Sequence, residues 1–186
     1  MKTIGALAIQ GDFKEHMALL HSMGVGCIEV RSISDMQKCS ALIIPGGEST
    51  TISKLLSDSG LGKEIKSRAK KGMPVYGTCA GAIVIAKKVA GEKRFSPLGL
   101  IDIEVERNAY GRQADSFESE IDFAGGKIRG VFIRAPLITK IGKGVEALAT
   151  LNGRPVLVRQ GKIIAGTFHP ELAGERAVHE LLLGLL

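Results

Sequence analysis

The first half of the sequence alternates short apolar segments with longer segments of helical pattern. The apolar segments show no regular polar–apolar alternation, which indicates strands that are buried on both faces. Strands alternating with helices are typical of β-α-β units, so we expect a parallel sheet with helices on both sides. The predicted strands cover residues 4–9, 27–30, 41–44 and 75–76, and the predicted helices cover residues 13–23, 34–38, 49–56 and 63–71, with Ser49 as the expected cap of the third helix.

The second half has a different pattern and is predicted to be largely antiparallel. One segment alternates apolar and polar side chains, as half-exposed strands do, and two later segments flank Asn152-Gly153, a hairpin signal. Strands are expected at residues 100–107, 127–133, 147–151, 156–159 and 163–167, followed by a final helix at residues 172–186.

Length and composition limit the class of protein. The 186 residues fit one domain with a sizeable core, so residues 1–186 are expected to form a single domain. The sequence shows no membrane-spanning apolar run and no signal-peptide pattern, which favours the cytoplasm. Cys27, Cys39 and Cys79 form no C-x-x-C pair, so neither a disulfide framework nor a metal site is expected.

The basic charge of the chain is not accompanied by the other marks of a nucleic-acid binder. The net charge is +6, but aromatic residues make up only 4% and tryptophan is absent, so platforms for base stacking are scarce. The longest basic clusters, Lys70-Lys71 and Lys87-Lys88, lie at predicted helix ends, where the helix dipole favours them. A basic surface also suits an acidic protein partner or phosphorylated metabolites.

Cys79 lies on a predicted sharp turn between a strand and a helix expected over residues 80–88. Gly77 and Gly81 allow such a turn to close, and a nucleophile elbow has this design. A thiol at a helix N-terminus is favoured as the nucleophilic thiolate, because the helix dipole is positive there. The alternative interpretation is a buried, inert cysteine beneath a glycine-rich turn.

A second candidate group follows the last predicted strand. His169 and Glu171 could act as a base and the carboxylate that orients it, or as a strand-end histidine and a helix N-terminal acid. Open α/β sheets bind ligands at the carboxyl ends of their strands. Cys79 and His169 both follow predicted strands, as do residues 10–12 and 45–49, so we expect one crevice to collect all four.

The Gly-x-Cys-x-Gly motif at Cys79, together with His169-Pro170-Glu171, resembles the class I, triad-type glutamine amidotransferases. Four segments are similar, more narrowly, to the glutaminase subunits of pyridoxal phosphate synthase; they are residues 5–12, 45–51, 107–113 and 132–136. The likeness covers essentially the whole chain and departs only at Ala82, at Tyr110 and at residues 173–175. It implies a single-domain, three-layer α/β/α fold with a flavodoxin-like mixed sheet.

The resemblance implies a glutaminase that releases ammonia from L-glutamine through a glutamyl thioester. Cys79 would attack the side-chain amide, and His169 would take the thiol proton and give it to the departing ammonia. Glu171 would orient the imidazole. The backbone N–H groups of Gly47 and Ala80 are the implied oxyanion donors.

The residues implied as glutamine contacts include one suited to the α-carboxylate, Arg107, because a guanidinium binds a carboxylate through two parallel N–H groups. Without the resemblance, the charged members are read as ordinary surface or helix-end charges. The implied contacts are Gly46, Gly47, Glu48, Arg107, Ile133 and Arg134.

The resemblance also implies a partner, a (β/α)-barrel synthase subunit in a large hetero-oligomer, which uses the ammonia to make pyridoxal 5'-phosphate, the cofactor form of vitamin B6. No cofactor, nucleic acid or membrane is implied. Rival interpretations are the glutaminase of imidazole glycerol phosphate synthase, a redox-sensing or repair protein with a reactive cysteine, and a catalytically silent binding subunit.

Overall fold

The computed structural model of the protein describes residues 2–107 and 116–186. Its strands are β1 (Ile4–Leu7), β2 (Cys27–Val30), β3 (Ala41–Ile44), β4 (Val75–Thr78), β5 (Ala86–Val89), β6 (Ile101–Glu106), β7 (Ser116–Phe123), β8 (Gly126–Ile133), β9 (Leu137–Ile141), β10 (Glu146–Leu151), β11 (Arg154–Gln160) and β12 (Ile163–Gly166). Its α-helices are α1 (Phe13–Ser22), α2 (Ile33–Gln37), α3 (Ser49–Asp58), α4 (Leu61–Lys70), α5 (Ala80–Ile85) and α6 (Ala177–Leu183).

The main sheet is parallel on one side and antiparallel on the other. Strands β2, β1, β3, β4 and β12 lie side by side in that order with parallel pairing. Strands β11, β10, β7 and β8 continue the sheet with antiparallel pairing. Strands β5, β6 and β9 form a separate small sheet. The mixed sheet and the largely antiparallel second half confirm the sequence predictions.

Successive residues of the parallel strands enter two different apolar cores, because neighbouring side chains of a strand point to opposite faces. Leu42 and Ile44 belong to the core that includes residues of α3, α4 and α5. Ala41 and Ile43 belong to the core that includes residues of α1 and α6. The sheet therefore lies between two helical layers, which is the predicted three-layer α/β/α architecture.

Helix α3 is capped by Glu48, so the prediction of a Ser49 cap was wrong. The Glu48 carboxylate accepts hydrogen bonds from the backbone N–H groups of Thr50, at 3.1 Å, and Thr51, at 2.7 Å. A carboxylate at this position satisfies two unpaired N–H groups of the first turn and carries the charge that the helix dipole favours. Ser49 is instead buried, and its Oγ has no hydrogen-bond partner among the described residues.

The helix predicted over residues 80–88 ends at Ile85, and the lysines that were expected at its end belong to β5. Strand β5 pairs with β6, where Lys87 contacts Asp102 at 2.8 Å and Lys88 contacts Glu104 at 3.1 Å. The neighbouring strand supplies backbone partners and matching charges that favour the extended conformation.

The C-terminal helix is also shorter than predicted, because the chain first makes a 3-10 turn over Glu171–Ala173 and α6 then covers Ala177–Leu183. Gly174 ends the turn with a φ of +66°, a conformation that glycine adopts readily. Strands β5, β7 and β9 had no counterpart in the sequence prediction.

Candidate active site

Cys79 occupies a sharp turn between β4 and α5, with a φ of +50° and a ψ of −107°. Two glycines make this turn possible. A Cβ atom at Gly81 would lie 2.0 Å from the carbonyl oxygen of Ile44, and one at Gly77 would lie 2.6 Å from the carbonyl oxygen of Gly81. The turn has the geometry of the predicted nucleophile elbow.

Parallel pairing of β4 with β12 brings Cys79 next to the segment that carries His169. Thr78 is the register partner of Gly166, and the backbone N–H of Cys79 donates to the carbonyl oxygen of Gly166 at 2.8 Å. The Thr78 hydroxyl donates to the carbonyl oxygen of Phe168 at 2.6 Å, which fixes the chain just before His169. The predicted convergence of the thiol and the imidazole at adjacent strand ends is therefore present.

His169 and Glu171 form a buried pair. The Nδ1–H of His169 donates to Glu171 Oε1 over 2.7 Å, and the two side chains are only 3% and 0% exposed. The backbone N–H of His169 also donates to the carbonyl oxygen of Val131 at 2.7 Å, so β8 holds this segment from a second direction. Because a carboxylate is an acceptor only, this contact places a proton on Nδ1 of the imidazole.

The thiol, the imidazole and the carboxylate are electrostatically coupled. Burial lowers the pKa of His169, but hydrogen bonds to Cys79 and Glu171 and the charges of those groups outweigh it and raise the pKa to about 10. Burial raises the pKa of Glu171, although the hydrogen bond and charge of His169 oppose this. The imidazolium form of His169 is therefore stabilised between Cys79 and Glu171.

The loop after β3 lies against the imidazole. A Cβ atom at Gly46 would come within 2.3 Å of His169 Cε1, so only glycine fits there. The carbonyl oxygen of Gly46 accepts from the backbone N–H of Asp12 at 3.1 Å. Gly47 has a φ of +152°, and the N–H of Glu48 donates to Gln10 Oε1 at 2.8 Å. The loop after β1 thus holds the loop after β3 beside His169.

Arg107 lies between two carboxylates. Its Nη1 donates to Glu92 Oε2 at 2.6 Å, and its Nη2 donates to Glu48 Oε1 at 3.2 Å. Burial raises the pKa of Glu48, but hydrogen bonds from Thr51 and Thr50 outweigh it and lower the pKa to about 2. Glu48 is therefore ionised at neutral pH at the side of the crevice.

Strand β8 ends over the thiol. The Sγ of Cys79 lies 3.9 Å from the carbonyl oxygen of Ile133, and the following residue, Arg134, has a φ of +42°. Such a φ is uncommon for a residue with a side chain and marks a backbone held in place by its surroundings.

The site residues surround a cavity of about 390 Å³. Gly46 and Glu171 lie behind its wall, against or beside His169. Residues 108–113, part of the segment that carried the resemblance, lie outside the described residues. The cavity is lined by Gln10, Asp12, Gly47, Glu48, Ser49, Cys79, Ala80, Ile83, Arg107, Ile133, Arg134 and His169.

Residues 6–184 match the model of the SNO glutamine amidotransferase family. The chain belongs to this family. A solved structure described as a glutamine amidotransferase is 47% identical and superposes with a TM-score of 0.94, covering 98% of this chain and 97% of that one. A structure described as PurLQS from Thermotoga maritima superposes with a TM-score of 0.72 at 16% identity, which shows a shared fold alone.

Curated relatives match this glutamine amidotransferase over almost its full length. The pyridoxal 5'-phosphate synthase subunit PdxT of Thermus thermophilus is 48% identical, covering 98% of this chain and 96% of that protein. The protein of the same name from Herpetosiphon aurantiacus is 50% identical, covering 98% of this chain and 100% of that protein. None of the helices in residues 2–107 and 116–186 has the length and apolar character that a membrane span requires.

The amidotransferase site contains residues that the sequence did not single out as contacts. Gln10 and Ser49 line the cavity, and the segments that hold them were expected at the crevice. His16 and His179 lie buried behind Glu171, on helices α1 and α6. His16 is three residues before the buried Leu19, and His179 is three residues before the buried Leu182, so each histidine lies on the apolar face of its helix. This helical spacing could have predicted that both histidines are buried.

Proposed function

We propose that this amidotransferase is the glutaminase subunit of a pyridoxal 5'-phosphate synthase. The observation that carries the proposal is the position of Cys79 on a tight elbow beside the buried His169–Glu171 pair, at the wall of a cavity large enough for an amino acid. Both relatives described above are subunits of pyridoxal 5'-phosphate synthase, which supports this pathway.

In the proposed reaction, His169 takes the proton of the Cys79 thiol, and Sγ attacks the carboxamide carbon of L-glutamine. The negative charge that develops on the amide oxygen is stabilised by the backbone N–H groups of Ala80 and Gly47. His169 gives its proton to the nitrogen, the C–N bond breaks, and ammonia leaves a glutamyl thioester. Water then attacks the thioester and gives a proton to His169, which releases glutamate and restores the thiol. Glu171 holds the imidazole throughout.

The charged groups at the side of the cavity provide complementary partners for the substrate's amino-acid end. Glu48, with its pKa of about 2, is suited to the α-ammonium group. Arg107 is suited to the α-carboxylate: it keeps its 2.6 Å contact with Glu92 and exchanges the longer 3.2 Å contact with Glu48 for the substrate. Gly47, Ile133 and Arg134 complete the lining of the proposed pocket, and Gly46 lies behind that lining, against His169.

The proposal extends to the assembly. Residues 1–186 act as one amidotransferase domain in the cytoplasm, and the ammonia passes to a (β/α)-barrel synthase subunit within a large hetero-oligomer. A glutaminase without its synthase would consume glutamine wastefully, so docking is expected to activate it. Gly47 is the proposed switch. Its φ of +152° is a conformation that glycine adopts readily, and its backbone N–H turns toward the oxyanion when the partner binds.

The test measures glutamate formation from glutamine, with and without the synthase subunit of the same organism. We expect hydrolysis that the synthase stimulates and that disappears in Cys79→Ala. The synthase subunit of the imidazole glycerol phosphate pathway is the matched control and should give no stimulation. Full activity of the isolated chain would contradict the Gly47 switch, and no hydrolysis with either synthase would contradict the glutaminase.

A further inference from the structure

Two buried histidines lie behind the proposed triad without a place in the mechanism. His16 on α1 and His179 on α6 are both 0% exposed. The Nδ1 of His16 lies 2.9 Å from the Nε2 of His179. Burying two imidazoles in a core is unfavourable unless their nitrogens are paired, so their position calls for a physical reason.

The pair faces the triad carboxylate. The Nε2 of His16 lies 3.5 Å from Glu171 Oε1, the same oxygen that accepts from His169 Nδ1 at 2.7 Å. This separation is long for a hydrogen bond, and the His16 Nε2 has no hydrogen-bond partner within residues 2–107 and 116–186. The ring of Tyr76 meets both buried imidazoles edge to face, with centroids 6.1 and 6.0 Å away. His16 is therefore held by His179 and Tyr76, with its second ring nitrogen 3.5 Å from the carboxylate.

The histidine pair is neutral near pH 7. Burial, together with the neighbouring His179 and His169, holds the pKa of His16 well below its usual value. Burial lowers the pKa of His179 to about 4. Each ring therefore carries a single N–H, and the arrangement of protons follows from the neighbours.

One tautomer suits all the contacts, and we assign it from the hydrogen-bond network. If His16 carries its proton on Nε2, that N–H points to the Glu171 carboxylate, and Nδ1 accepts from the Nε2–H of His179. The opposite tautomer would direct a nitrogen lone pair at the carboxylate, which is repulsive. Donation then runs in one direction, from His179 to His16 to Glu171.

The Glu171 carboxylate has little else to fix its orientation. Glu171 Oε2 is buried and has no hydrogen-bond partner among the described residues. Without a further donor at Oε1, the carboxylate can rotate about its last side-chain bond, and rotation breaks the 2.7 Å contact that sets the His169 tautomer. A second donor near Oε1 would restrict this rotation.

We propose that His16 is a positioning residue of the triad: its Nε2–H holds the Glu171 carboxylate against His169, and His179 fixes the tautomer that makes this possible. The inference rests on the proposed glutaminase function. It predicts that the histidine pair acts on the reactivity of Cys79 through the carboxylate and the imidazole, and not on the binding of glutamine.

The test compares His16→Leu, which fills the space without a donor, with His16→Gln, whose amide N–H can replace the Nε2–H. His21→Leu, on the exposed face of the same helix, is the matched control. Glutaminase kcat and KM are measured in the complex with the synthase. The rate of Cys79 alkylation by iodoacetamide, followed on that peptide by mass spectrometry, is measured on the isolated chain and needs no glutamine turnover.

We expect His16→Leu to lower kcat on the order of tenfold to a hundredfold with KM within about twofold, and to slow Cys79 alkylation, because a misplaced catalytic group loses rate rather than affinity. His16→Gln should recover most of both, and His21→Leu should match the unchanged protein. Unchanged kcat and alkylation in a folded His16→Leu would overturn the inference. So would equal losses in His16→Leu and His16→Gln, which would indicate packing alone.

The two measurements separate this inference from the proposed function. If the unchanged protein shows no glutaminase activity that Cys79→Ala abolishes, the function fails, while the alkylation rates still report on the coupling of His16 to the thiol. If glutaminase activity is present and the alkylation rate does not respond to His16→Leu, the inference fails and the function stands.

Discussion

The two sides of His169 differ sharply. On one side lies the cavity, with Cys79 in a strained turn, two adjacent glycines and the ionised Glu48 within reach of solvent. On the other side lie Glu171 and the two neutral histidines, closed off by the aromatic ring of Tyr76. The open side carries backbone freedom and charge for a substrate. The closed side has the groups that must keep one orientation through every turnover.

This difference shows why the two sides should respond differently to substitution. A substitution on the open side alters the contacts with the substrate or the position of the Cys79 thiol. A substitution on the closed side alters the orientation of the His169 imidazole. Electrostatic interactions are stronger where water is excluded, so the closed side should be the more sensitive to loss of a single polar group.

The largest expected effect comes from Glu171→Gln on the closed side. The amide can present an N–H to His169 Nδ1 and thereby favour the wrong tautomer, at nearly unchanged volume. We expect kcat to fall on the order of a thousandfold or more while glutamine still binds, as in other triads that lose their acid. Glutamate formation and glutamine binding by calorimetry check this. A loss below about tenfold would show that the carboxylate does not orient the base.

The features that the sequence predicted well are those set by residues close together in the chain. The central strands were predicted because a strand buried on both faces must be continuously apolar, as at Ala41–Ile44, where the bounds agree. The elbow was predictable because a tight turn around Cys79 requires glycines within two residues. Both features depend on residues that are close together in the sequence, so they could be predicted from it.

The features that the sequence did not predict depend on distant contacts. Strand β5 was expected as helix because its partner, β6, lies more than ten residues further along the chain. Glu48 caps α3 through local bonds to Thr50 and Thr51, but its contact with Arg107 joins residues 59 positions apart. His16 and His179 meet over a separation of 163 residues. A helical pattern predicts burial of such positions, but it cannot identify the polar partner.

The next effect concerns Gly46, which stands at the boundary between the two sides. A Cβ atom there would lie 2.3 Å from the His169 ring, so Gly46→Ala must push the imidazole or the loop aside. We expect kcat to fall on the order of a hundredfold, since a displacement of about 1 Å is enough for that loss. Gly26→Ala, at a position with open space, is the matched control. Activity within twofold in Gly46→Ala would contradict the close approach.

A smaller effect is expected on the open side at Glu92, which holds Arg107. Its side chain is only 4% exposed and accepts from Arg94 at 2.6 Å as well as from Arg107 at 2.6 Å. Hydrogen bonds from Arg94, with help from Arg107, keep the pKa of Glu92 below its usual value. In Glu92→Gln the guanidinium is less firmly placed, and we expect the KM for glutamine to rise about tenfold with kcat little changed.

The matched control for this variant is Glu104→Gln, which also removes a carboxylate between two cations but on β6, where it contacts Lys88 and Lys140. Glutaminase kinetics should be unaffected there. A fall in kcat with constant KM in Glu92→Gln would instead place Arg107 in the chemical step.

The smallest effect is a pH dependence of stability that the closed side should impose. Burial lowers the pKa of His179 to about 4, below the usual 6.5, so the unfolded chain takes up a proton that the folded chain does not. The stabilising contribution is complete above pH 6.5 and is lost as the pH falls toward 4.

Between pH 7 and pH 5.5 this histidine should reduce the free energy of unfolding by about 1 kcal/mol. His179→Gln removes the titration, so its stability relative to the unchanged protein should rise by that amount over the same interval, measured by urea unfolding. His21→Gln, which removes an exposed histidine from α1, is the matched control. A pH-independent His179 difference would show that the folded and unfolded chains bind the proton equally, so burial would not hold this imidazole neutral. A difference of the opposite sign would show that the folded protein binds the proton more tightly than the unfolded chain, and the neutral His179 of the assigned tautomers would then be wrong.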